Sequence, residues 1–265
     1  MDAARNLLAG LVMHTPVRIR SLQGMPVVGD WLHSLSQKLL PSHELVWTRV
    51  RRGPAKGIWL ELNPRTGRDY AAGHVETLVQ QAIVDHLRSG MVFYDLGANI
   101  GLFSLLASRL VGEDGKVFSF EPDYVSARRL RGNMERNRLH NVVVVEAGVG
   151  ASTGKLTFLS SESSSPDRGV GKFAAANDNF SGDSLQCYAL DDLVHEFPLP
   201  DAIKCDVEGM EAEVILGARN LLASCRPVII FEIHSETKGK EVESLCRGLG
   251  YEVRAIDANH LLAEP

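Results

Sequence analysis

Residues 91–101 read MVFYDLGANIG and run into LFSLLASRL at 102–110. Met91 to Tyr94 is a short apolar, β-branched and aromatic run, the composition of a buried strand. Asp95 closes it, Gly97 and Gly101 bracket a tight turn, and the leucines that follow recur at helical spacing. Strand, glycine turn and helix in that order open a doubly wound α/β domain whose ligand lies against the turn. A dinucleotide site of this type requires G-x-G-x-x-G. Counting from Gly97, Asn99 and Leu102 stand where the second and third glycines belong. The pattern present is D-x-G-x-N-x-G. A carboxylate in that position repels a pyrophosphate but accepts hydrogen bonds from an ammonium or a hydroxyl.

Outward from the turn, strand and helix signals alternate. KVFSF (116–120) is a second strand ending in Glu121, and 124–139 is a basic amphipathic helix. NVVVVE (141–146) reads as a third, fully buried strand. After an interruption come a fourth strand at 202–206, a helix at 210–222, a fifth strand at VIIFEIH (228–234), a helix at 241–249 and a sixth strand at 251–256. The closing LLAEP is a possible seventh. This rhythm predicts a mostly parallel sheet. Residues 151–189 break it with strands LTFL and SLQCYAL around a Ser-, Asp- and Gly-rich insert. The insert reads either as a surface loop or as a lid over the ligand. Upstream, 45–62 reads as two strands joined at Gly53 and Pro54, and 74–87 as a helix leading into the central strand. Residues 1–45, with an amphipathic helix at Trp31–Leu40, read as an arm that packs on the domain or on a second subunit, which makes a homodimer reasonable.

Composition narrows the partners. The chain has 265 residues, 45% of them hydrophobic and 23% charged, which describes an ordinary globular protein with one large domain and an appendage. A net charge of -5 gives no reason to expect a nucleic acid, and Arg49, Arg51 and Arg52 read as a solvated strand edge. Cys187, Cys205, Cys225 and Cys246 have no C-x-x-C spacing, so they read as reduced thiols, and no zinc site is expected. The opening MDAARNLLAGLVMH is too short for a membrane span and has no clear cleavage site, so a cytoplasmic location is expected.

Three features fall at the carboxyl ends of successive strands, where such sheets bind ligands. The first is the Asp95–Gly101 turn, whose chemistry suits S-adenosylmethionine, with its amino-acid tail and no phosphate. The second is Glu121, placed to accept both ribose hydroxyls of an adenosine through charge-assisted bonds. The third is KCDVEG at 204–209, which sets Lys204, Asp206 and Glu208 over the cleft; both acids also stand where they could cap the next helix. The fifth strand adds Glu232 and His234 on one face. Methyl transfer to a hydroxyl requires a base. Asp206 and His234 are the candidates, with Glu208 and Glu232 as orienting groups. A divalent metal held by Asp206, Glu208 and Glu232 is the lesser route, and none is expected at the site. CDVEG stands where enzymes acting on amino groups carry an N-P-P-Y type tetrapeptide, which favours oxygen as acceptor.

Taken together, GHVE (73–76), VFYDLGANIGLFSLLAS, GKVFSFEPD, VVVVEA, ALDDL, IKCDVEGMEAEVILGA, RPVIIFEIH and GLGYEV resemble, in order, the FkbM family of S-adenosylmethionine-dependent methyltransferases. The resemblance runs from about 73 to 256. It implies a Rossmann-like class I methyltransferase fold at 73–265, with 1–72 as an arm and hairpin extension, and methylation of hydroxyls of sugars or secondary metabolites. It also implies that Asp95, Gly97, Asn99 and Gly101 hold the methionine end of the cofactor, that Glu121 holds the ribose and that Glu76 closes over it. Asp206, Glu208 and His234 sit in the family's later motifs without settled roles. Two other readings stand beside it. One is an NAD(P)-dependent oxidoreductase; the other is a non-catalytic methyltransferase-like scaffold.

Overall fold

A computed structural model describes residues 45–159, 172–173 and 183–265. The expected N-terminal arm with its Trp31–Leu40 helix, and most of the Ser-rich insert, lie outside the described residues. The chain forms two compact units that divide between Val75 and Glu76. In the first, β1 (Val46–Arg49) and β2 (Trp59–Leu62) make an antiparallel hairpin, followed by the short helix α1 (Arg68–Ala72). The hairpin expected around Gly53 and Pro54 is present.

The second unit carries a seven-stranded sheet. Its elements in chain order are α2 (Thr77–His86), β3 (Val92–Leu96), α3 (Leu102–Val111), β4 (Lys116–Phe120), α4 (Tyr124–Asn137) and β5 (Val142–Val145). Then follow the short strands β6 (Gly148–Val149), β7 (Gly154–Leu159), β8 (Lys172–Phe173) and β9 (Asp183–Tyr188), which form a small sheet of their own in the order β6-β9-β7-β8. The main sheet resumes with β10 (Ala202–Cys205), α5 (Glu211–Leu216), α6 (Arg219–Cys225), β11 (Val228–Glu232), α7 (Glu236–Gly248), β12 (Glu252–Ala255) and β13 (His260–Glu264). Its spatial order is β12-β13-β11-β10-β3-β4-β5. Strands β5, β4, β3, β10 and β11 are parallel neighbours, and β13 pairs antiparallel with both β11 and β12. The chain thus reverses order beside β3, so the β3 and β10 strand ends flank the crevice.

Three expectations are revised. The last two strands form an antiparallel hairpin because only residues 256–259 join them, far fewer than a parallel crossover requires. β5 is the edge strand of the sheet, so Val143 is 41% exposed and the strand is not fully buried. The helix expected at 210–222 is two. α6 restarts where the Asp191 carboxylate accepts from the Asn220 and Leu221 amides, at 3.1 and 2.8 Å.

Period-two alternation divides the sheet's faces. Tyr94, Leu96, Phe118, Phe120, Ile203, Cys205, Ile229 and Phe231 enter one apolar core with Val214, Ile215, Leu221, Leu222, Val242 and Cys246 of α5, α6 and α7. Within it Tyr94 meets Phe118 edge-on, with ring centroids 5.4 Å apart. On the opposite face lie Asp95 and, by register, Ser119 of β4 and Lys204 of β10. All three are nearly inaccessible. A buried row of polar side chains in an apolar sheet needs partners, and these decide the site.

Candidate active site

Asp95 is fully buried, and its Oδ2 accepts from the Ser104 hydroxyl of α3, which itself accepts from Ser119 at 2.7 Å. Ser104 and Ser119 were visible only as serines inside otherwise apolar runs. Asp95 Oδ1 has no hydrogen-bond partner. Burial raises the Asp95 pKa, and the Lys204 ammonium opposes that rise.

The turn after Asp95 is held almost wholly by its own amides. Gly97 and Ala98 both donate to the Phe120 carbonyl, at 2.9 and 3.0 Å, and Gly101 donates to the Ala98 carbonyl at 2.8 Å. Asn99, at φ +49°, donates its amide to Glu121 Oε2 at 2.7 Å. A side chain at Gly97 would put its Cβ 1.8 Å from the Asp206 carbonyl oxygen, and one at Gly101 would lie 2.0 Å from Leu130 Cδ1. Both glycines are therefore fixed by packing. Glu121 is 7% exposed; its other oxygen accepts from the Asp123 amide at 2.8 Å. Burial, against those two amides, pushes its pKa up to about 8.

At the end of β10, Lys204 is 1% exposed, lies 4.7 Å above the Phe103 ring and reaches Asp206 Oδ2 at 3.0 Å. Burial alone would lower its pKa, but Asp206, Glu76, Asp95 and Glu232 around it outweigh that and hold it charged. His234 Nε2 lies 3.6 Å from Asp206 Oδ1 and 3.8 Å from both Glu208 Oε2 and Glu211 Oε1, at ion-pair distances. Its pairing with Asp206 raises the imidazole to about 9 against the opposing effect of burial. Burial pushes Asp206 up, but the Lys204 charge, with hydrogen bonds from His234, Glu232 and Lys204, holds it below the usual carboxylate range. Glu232 takes the reverse course, to about 7, through burial and the Asp206 charge. The four residues expected to carry chemistry, Asp206, Glu208, Glu232 and His234, are thus brought together.

The N-cap residue of α5 is neither Asp206 nor Glu208 but Met210, whose side chain makes no capping bond. Glu208 takes a left-handed φ of +54° in the turn that leads from β10 to α5. Glu211, which the sequence reading left inside a helix, is fully buried, with Oε1 accepting from the Gly209 amide at 2.8 Å. Glu76 is the N-cap of α2, at φ +42°, and its Oε2 lies 3.3 Å from His260 Nε2.

These groups test which ligand the turn can take. A phosphate needs free amides, and those of Gly97, Ala98, Asn99 and Gly101 are engaged within the protein. Within the turn, the buried side-chain atoms without a partner are acceptors, Asp95 Oδ1 and Asn99 Oδ1. Each Glu121 oxygen, with one amide bound, retains a second lone pair. A ligand offering an ammonium and vicinal hydroxyls fits these acceptors better than a pyrophosphate, which offers acceptors only. S-adenosylmethionine meets that description.

Comparison with known proteins agrees. Residues 95–253 match the methyltransferase FkbM domain. The hexuronic acid methyltransferase AglP of Haloferax volcanii is 30% identical over 169 residues, 63% of this chain and 66% of that protein. The AMB antimetabolite synthetase AmbE of Pseudomonas aeruginosa is 27% identical over 74% of this chain, which spans only 12% of it. Among solved structures, methyltransferase FkbM from Methylobacillus flagellatus shares the fold at 16% identity and a TM-score of 0.50, over 92% of this chain and 61% of that one. With the domain match covering more than half its length, the chain belongs to the FkbM family of S-adenosylmethionine-dependent methyltransferases and has their Rossmann-like, class I fold.

Proposed function

We propose that this methyltransferase acts on oxygen, transferring the methyl group to a hydroxyl of a sugar or secondary metabolite. The methyltransferase domain is taken as 73–265, with 1–72 as an extension. The observation that carries the reading is the His234–Asp206–Glu208 group at the ends of β10 and β11, beside the Asp95 turn. An amine acceptor needs no comparable base to become nucleophilic, whereas a hydroxyl gains greatly from one. The name of the Haloferax volcanii relative, a hexuronic acid methyltransferase, supports a sugar acceptor.

In this reading Asp95 and Asn99 take the ammonium of the cofactor and Glu121 its ribose hydroxyls. S-adenosylmethionine supplies an electrophilic methyl group on a sulfonium. His234 takes the proton from the acceptor oxygen on Nδ1, the ring nitrogen turned away from the carboxylates, while Asp206 and Glu208, facing Nε2, orient the ring and stabilise the imidazolium so formed. Since they already favour that form, the neutral imidazole is the minor species at pH 7. Lys204 keeps Asp206 ionised.

Two measurements test this. Calorimetric titration is expected to show binding of S-adenosylmethionine and S-adenosylhomocysteine but not NAD. Asp95→Asn and Glu121→Gln should each weaken that binding about 10- to 100-fold, the worth of a charge-assisted hydrogen bond. Unchanged affinity in both variants would remove the turn as the cofactor site. In a methyl-transfer assay against uronic acids and other sugars, His234→Gln is expected to lower kcat by about 10²- to 10⁴-fold and leave cofactor affinity intact. Full turnover by His234→Gln with lost turnover by Asp206→Asn would make Asp206 the base. Binding with no transfer to any hydroxyl would favour the scaffold.

A further inference from the structure

We propose that Glu76, Glu232 and His260 form a site for one divalent transition-metal ion of the zinc class, adjoining the Asp206–His234 group through Glu232. Glu232 and His260 are direct partners in the antiparallel β11–β13 register, and Glu76, the N-cap of α2, comes down beside them. One ligand atom from each of the three lies within 4.8 Å of the other two.

Acidic clusters are common, and the argument rests on His260. The residue is 5% exposed, and its Nε2 has no hydrogen-bond partner. That nitrogen faces Glu76 Oε2 at 3.3 Å, and this oxygen is also buried without a hydrogen bond. The other ring nitrogen, Nδ1, lies 2.7 Å from Asp257 Oδ1. A carboxylate there fixes the proton on Nδ1 and leaves the Nε2 lone pair directed at the Glu76 oxygen. Two buried acceptors facing each other need a positive charge between them, either a proton on Nε2 or a metal cation. The carboxylate–imidazole pairing is the usual support of a metal-bound histidine. The spacing agrees: ligands about 2.0–2.1 Å from a tetrahedral zinc are roughly 3.3–3.4 Å from one another.

Charge and donor type narrow the ion. Lys204 is one positive charge set among four carboxyl groups, Asp206, Glu76, Asp95 and Glu232, and it bonds to Asp206 at 3.0 Å, so a dication beside Glu76 and Glu232 would offset charge that it leaves. An imidazole with two carboxylates suits zinc, cobalt or iron(II) better than magnesium or calcium, which take oxygen. The cysteines, which argued against zinc, take no part. Bound there, the ion would tie the start of α2 to the β11–β13 pair and fix Glu232 next to Asp206.

The test uses the full chain, stripped with a chelator and titrated with Co²⁺, read by visible absorption and by displacement with Zn²⁺. One equivalent is expected to bind. His260→Gln and Glu76→Gln should each weaken binding at least about 100-fold, and Asp257→Asn about 10-fold, as outer-shell partners do. His234→Gln should bind as the unaltered chain does. Thermal melting of the metal-free variants shows whether each is folded, and Glu76→Gln serves should His260→Gln fail. No binding by the unaltered chain would overturn the proposal. So would binding lost in His234→Gln but kept in Glu76→Gln, which would place the ion on Asp206, Glu232 and His234. The readout needs neither cofactor nor acceptor, so its failure is separate from that of the O-methylation reading.

Discussion

Gly97→Ala is expected to destabilise the chain by more than about 4 kcal/mol, in the range reached only by a few mechanisms, and Gly90→Ala by about 1–2 kcal/mol. The two glycines have nearly the same backbone, φ +79° and φ +86°. Left-handed strain is therefore common to both and cancels in the comparison. The difference lies in space. A Cβ at Gly90 meets nothing within 4 Å, whereas one at Gly97 lies 1.8 Å from the Asp206 carbonyl oxygen and 2.9 Å from its carbon. Those are backbone atoms, so no rotamer change relieves the overlap. β3 and β10 would have to part where the Asp206 amide donates to the Leu96 carbonyl at 3.0 Å. Cofactor affinity should fall with stability, because Asp95 and Asp206 sit on either side of that junction. Denaturant unfolding of the two variants checks this. Equal costs would mean that conformation alone, not the close approach, demands glycine at position 97.

The same junction shows what a sequence can and cannot disclose. The strand–turn–helix at 91–110 was legible because its signals are local: apolar period, glycine, leucine spacing. Glu121, Asp206 and His234 were legible because each ends an apolar run, and a strand end in such a sheet is a ligand-binding edge. Glu211 was not, since an acid in the first turn of a helix is ordinary, and only the fold reveals that it is fully buried. His260 was not, because its partner Glu232 is set by the β11–β13 register, a non-local pairing no period records. The helix at 210–222 was misread for a related reason. The group that restarts α6 is Asp191, far upstream in ALDDL. The hairpin of β12 and β13 could have been found by counting, because four residues cannot carry a parallel crossover.

Lys204→Met is expected to cost about 3–5 kcal/mol, the usual penalty for removing one partner of a buried ion pair, and to abolish transfer as well. Methionine nearly matches the lysine stem in volume and can keep the packing on Phe103, so a cavity does not explain the loss. What disappears is the positive charge that faces Asp206, Glu76, Asp95 and Glu232. With Lys204 1% exposed, water cannot replace it without opening β3 from β10. The remaining carboxylates must then take up protons or separate. Protonation of Asp95 removes the charge proposed to hold the ammonium, and protonation of Asp206 removes the group that orients His234. Stability and cofactor affinity should therefore fall together. Lys240→Met supplies the contrast: Lys240 pairs with Glu236 at 2.7 Å on the solvent side of α7, and losing that exposed pair should cost under about 0.5 kcal/mol. Thermal melting with and without S-adenosylhomocysteine separates the two effects. A Lys204→Met chain that melts near the unaltered one and still binds the nucleoside would show that the carboxylates already share protons among themselves. In that case Lys204 is a packing residue, and the charge balance argued for both the transfer site and the metal site would have to be rebuilt without it.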